Sequence, residues 1–162
     1  MVERLSHEQE VPSSTLGAAI NLKILKTIIR YKRGKMIITK SIPYSEIKKH
    51  LKKSDKIGVI SCNACARLAK TGGKEVMEKL ANKLKKDGFD VVDADLIGTP
   101  CDYDQLNKSQ LHGNVQIVLA CDAGVHNLKK IFPKHKIISA LKTIGIGSFD
   151  HKGHITLIRK IK

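Results

Sequence analysis

The chain has 162 residues, with 30 Lys and Arg against 15 Asp and Glu, for a formal net charge of +15. An apolar share of 41% with no long uncharged run excludes a membrane-spanning helix, and the length suits one domain with its own core. Aromatic residues are only 4% and Trp is absent, so stacking platforms are scarce and the charge reads as a solvated lysine surface rather than a nucleic-acid footprint.

Residues 1–14 are polar and lack the apolar stretch of a secretory signal, so the expected compartment is the cytoplasm, where thiols stay reduced. From Leu16 to Tyr31 the periodicity is helical: Ala18, Leu22, Leu25 and Ile29 form one stripe, and Lys23, Lys26, Arg30, Lys32 and Arg33 make the segment basic. Such a helix can pack on the domain or on a second copy, or engage a membrane surface or another partner. The short apolar run at Met36 follows, and then Pro43 opens a helix with Glu46 in its first turn and Ile47 and Leu51 facing inward. The chain divides on this reading into an extension, 1–35, and one α/β domain, 36–162.

Lys56 to Ser61 is the first buried parallel strand, since Ile57, Val59 and Ile60 show little polar alternation. A helix from Lys74 to Lys86 buries Val76, Leu80 and Leu84 and ends at Gly88. Strands at Val91 to Ile97 and Val115 to Ala120 follow, then a helix opening at Ala123–Gly124 and ending near Phe132–Pro133. A fourth strand is predicted from Ile137 to Leu141, and a terminal hairpin turning at Asp150–Gly153. This alternation predicts a three-layer α/β sandwich of Rossmann or flavodoxin type, with a mainly parallel sheet and a C-terminal β-hairpin.

Cys62, Cys101 and Cys121 each end a strand-like run, and Cys65 completes a Cys-Asn-Ala-Cys turn. Parallel strands open their carboxyl ends onto one edge, so these thiols are predicted to meet where open α/β sheets bind ligands. Four soft thiolates suit zinc or an iron–sulfur cluster. Two alternatives stay open: Cys101 and Cys121 as small core residues, and Cys62/Cys65 as a thiol-redox pair. Gly72–Gly73 and Asp122-Ala123-Gly124 sit at helix starts, where free N–H groups attract anions, although capping explains both turns without a ligand. The first lacks the Walker and Rossmann spacings. His126, one turn into its helix, is a candidate second-sphere donor to the thiol site. No triad order or carboxylate pair points to hydrolysis.

The segment MIITKSIPYSEIKKHLKKSDKIGVISCNACARLAKTGGKEV resembles the start of the C-terminal domain found with methylenetetrahydrofolate reductases. The later LACDAGVHNLKKIFPKHKIISALKTIGIG is similar to a second motif of that family, and coverage is about residues 36–160. In acetogenic bacteria that domain is a separate zinc or iron–sulfur subunit beside a flavin-containing barrel enzyme. The resemblance implies Cys62, Cys65, Cys101 and Cys121 as ligands of a [4Fe–4S] cluster, or otherwise of zinc. It also implies a non-catalytic accessory role in one-carbon metabolism, by electron transfer or complex support, with a flavin-dependent barrel protein as partner. Homo-oligomers are compatible with it. A third cysteine of the family's first motif falls on Ala69, its glycine after the first cysteine is Asn63, and its cysteine-rich C-terminal tail has no counterpart, so one cluster at most is expected. The rival expectations are the thiol-redox protein and a basic module that binds nucleic acid or acidic lipid.

Overall fold

Two kinds of strand pattern sort the chain into two sheets. The computed structural model describes residues 34–161; the predicted helix from Leu16 to Tyr31 lies outside the described residues. In chain order the elements are β1 (Gly34–Ser41), α1 (Tyr44–Lys48), β2 (Lys56–Cys62), α2 (Cys65–Leu68), α3 (Lys74–Lys86) and β3 (Asp90–Ile97). Then come α4 (Tyr103–Leu106), β4 (Val115–Leu119), α5 (Asp122–Ile131), β5 (Lys136–Ser139), β6 (Leu141–Phe149) and β7 (Ile155–Lys160). Six consecutive residues of β2 and all five of β4 are buried, as two-sided coverage demands. These two strands are the centre of a four-stranded parallel sheet ordered β3-β2-β4-β5. Ile57, Ile60, Ile117 and Val118 fill its middle, and Leu84, Leu106 and Leu128 cover it from the helices.

α3 spans Lys74–Lys86 as predicted, but Met77, Ala81 and Leu84 are its buried residues, and Val76 and Leu80 flank them. The small Ala81 lets this side settle onto the sheet. Its end is a full Schellman closure. Gly88, at φ +76°, donates to the Lys85 carbonyl, and Phe89 N–H donates to that of Leu84.

The expected mainly parallel sheet is replaced by a division of labour. Four strands are parallel, and β1, β6 and β7 form a separate antiparallel sheet ordered β1-β6-β7. The predicted strand from Ile137 to Leu141 breaks at Ala140. Ala140 N–H donates to Val118 O of the parallel sheet, whereas its carbonyl accepts from Ile42 N–H, just beyond β1. Leu141 then pairs with Ser41, which carries the chain into the second sheet. The hairpin turn is where the sequence puts it: Asp150 Oδ1 accepts from the N–H groups of Lys152 and His154, and Gly153 takes φ +80°.

Candidate metal centre

Counted by appearance, the parallel strands lie in the order 2-1-3-4, so the chain leaves β2 toward one edge and β4 toward the other. The topological switch point falls between the carboxyl ends of β2 and β4, the place where open α/β sheets bind ligands. Cys62 is the last residue of β2, and Cys65 opens α2 beside it. Cys121 follows β4 and is the N-cap residue of α5, while Cys101 lies four residues beyond β3. All four are free thiols; Cys62 and Cys121 are buried and Cys101 is exposed.

The surrounding backbone is turned toward sulfur. Ala64 N–H donates to Cys62 Sγ at 3.4 Å, and the Cys62 thiol faces the Gly98 carbonyl at 3.8 Å. Cys121 is the N-cap residue of α5 without a side-chain capping hydrogen bond, and the backbone N–H groups of Gly124 and Ala123 nearby favour its charged form. Asn127 Nδ2 donates to the Cys101 carbonyl at 2.9 Å, tying the Cys101 loop to α5. Burial pushes the Cys101 thiol up, and the neighbouring charges of Cys121, Cys62 and Cys65 push it further. Burial likewise raises Cys121; its two N–H donors offset part of this, and Cys62 and Cys65 add to it. Ionisation of Cys101 and Cys121 is thus disfavoured, and a bound cation would reverse that balance. As placed, no three His, Cys, Asp or Glu side chains among the described residues form a ready ligand group. The cysteines follow the carboxyl ends of three parallel strands without a closed shell. Their chemistry fits a thiolate-held metal, and N–H groups directed at sulfur are the contacts that tune such centres.

The glycine turns serve packing. Gly73 N–H donates to the buried Ser61 Oγ at 2.8 Å, and the N–H groups of Thr71 and Gly72 both donate to Ala66 O. A side chain on Gly72 would press on Ala66 and Ser61, so the glycine lets the loop close on β2. Gly124 lets α5 approach Pro100 in the Cys101 loop, where a Cβ would stand 3.3 Å from its Cγ. Asp122 is exposed and its N–H donates to Thr143 Oγ1, which links α5 to β6. His126 is exposed on α5. Sequence reasoning missed Ser61 and Asn127, whose partners come from 12 and 26 residues away.

Comparison with protein-family models, curated proteins and solved structures finds no match. Among the described residues, no helix is long and apolar enough to cross a membrane.

Proposed function

We propose that the chain binds one metal centre through Cys62, Cys65, Cys101 and Cys121, a [4Fe–4S] cluster in preference to zinc. In this reading it serves as a non-catalytic accessory subunit of a flavin-dependent one-carbon oxidoreductase of the methylenetetrahydrofolate reductase type. The observation that supports the metal reading is that all four cysteines follow carboxyl ends of parallel strands, Cys62 and Cys65 at β2, Cys101 after β3 and Cys121 after β4. The accessory role rests on the two motifs that resemble the reductase-associated domain. The strand order supports a flavodoxin-like arrangement, in which right-handed crossovers of opposite direction put α3 and α5 on opposite faces of the parallel sheet.

A cluster held here would supply one-electron chemistry, and zinc a structural clamp. The chain's own part is to present the ligands. Ala64 N–H orients Cys62, the first turn of α5 orients Cys121, and Asn127 holds the Cys101 loop. Replacing Cys62 or Cys121 by Ser is expected to empty the site, read as metal bound per chain after purification without oxygen. Unchanged metal in both variants would defeat the assignment.

A further inference from the structure

The fold leaves its most apolar surface where its own core has no use for it. Of the seven large hydrophobic residues exposed among the described residues, five belong to β6, β7 and the residue after β7: Ile146, Ile155, Leu157, Ile158 and Ile161. Every residue of β7 is exposed, none belongs to the hydrophobic core, and among the described residues the strand is an open edge of its sheet. An open strand edge offers unpaired backbone groups, and proteins that do not use one normally blunt it. Here it carries aliphatic side chains instead, with Ile158 62% and Ile161 51% exposed.

Charge narrows the choice of occupant. Lys40 and Lys142 are directly cross-strand partners, an arrangement that destabilises a sheet when nothing lies between. They border one cavity of about 960 Å³ with Lys160, Asp122 and Ile161. None of these lysines is in an ion pair among the described residues. Asp122 is the single carboxylate among the residues that border this cavity, against three lysines. A second copy pairing along β7 would bring no carboxylate to these lysines, since the strand itself carries none. The register of β6 and β7 also leaves Ile158 as an extra, bulged residue, and a bulge opposes indefinite edge-to-edge stacking of copies.

We propose that the β7 edge and the adjoining lysine cavity are the docking surface for a separate protein, one presenting an extended strand with acidic side chains among apolar ones. The strand adds to β7 by main-chain hydrogen bonds, and its carboxylates neutralise Lys142 and Lys160. The surface is continuous with the thiol edge through the Asp122–Thr143 hydrogen bond, so the partner would sit beside Cys121. That a partner exists is taken from the accessory-subunit reading; the surface argument stands apart from metal content.

The test is hydrogen exchange on the full chain with an end-blocked octapeptide of alternating Glu and Val. Binding should slow alternate amides within residues 155–160 and spare β3, the exposed edge of the parallel sheet. The effect should weaken with salt, and a Lys–Val peptide should fail to produce it. Lys142→Glu with Lys160→Glu, both on exposed positions, should weaken binding at least tenfold, and Ile158→Glu should do the same. No binding, equal protection by the Lys–Val peptide, or outward-facing β7 amides already protected in the free chain would overturn the proposal. A chain that protects β7 without holding metal, or the reverse, separates this inference from the metal reading.

Discussion

Gly72 shows how closely single residues near the thiols are constrained. A Cβ there would lie 2.8 Å from the Ala66 Cβ, 3.0 Å from Ser61 Oγ and 3.2 Å from the Leu119 carbonyl. None of these is the free end of a flexible side chain, so the loop itself would have to move. Gly72→Ala should therefore cost about 1–3 kcal/mol, the usual range for overpacking, as read from urea unfolding. Stability equal to the parent chain would show that the loop is free to shift. The cysteines themselves are legible in the sequence, because each of the three strand-like runs ends on one. Ser61 and Asn127 are not. Ser61 matters only once Gly73 has folded back on it, and Asn127 only once α5 lies beside the Cys101 loop.

Among the elements, α1 shows how a short helix is held. Five residues are too few to be stable alone, so tertiary contacts must fix it. Tyr44 Oη donates to Asp87 Oδ2 at 3.0 Å, and Lys48 Nζ reaches the same oxygen at 2.8 Å, which pins α1 to the end of α3. Burial first, then the hydrogen bond and the charge of Asp87, push the Tyr44 phenol from 10.0 to about 12. A raised phenol binds its proton more tightly when folded. Its stabilising contribution is thus whole below pH 10 and is lost as the pH rises from 10 toward about 12. Hydrogen bonds from Lys48 and Tyr44 lower the Asp87 carboxyl, so its contribution is kept above the ordinary carboxylate range and lost in acid. Tyr44→Phe should remove the alkaline part of the pH–stability curve, measured by denaturant unfolding; an unchanged curve would contradict the assignment. The helix periodicity of α3 and its glycine end are legible because both signals are local. The depth of each residue is not, since Ala81 is buried through what it packs on.

At the scale of the whole molecule, the parallel strands and the C-terminal hairpin are legible, and the pairing of β1 with β6 into a separate sheet is not. β2 and β4 announce themselves as continuous apolar runs. β1 has only MIIT to mark it, and its partner β6 lies about a hundred residues on, beyond what a local pattern carries. The switch of sheet at Ala140 depends on two backbone hydrogen bonds to different sheets, which no composition signals. The consequence is functional: the hairpin, freed from the parallel sheet, stands beside the thiol edge with its own apolar and basic surface.

The claim on which the account turns is that four thiols from three chain segments hold one metal centre. Purification without oxygen, followed by iron, sulfide and zinc determination per chain and a visible spectrum, tests it most directly. The account predicts about four irons with matching sulfide and a broad absorbance near about 400 nm, or else one tightly held zinc without colour. A folded chain with neither metal would contradict it.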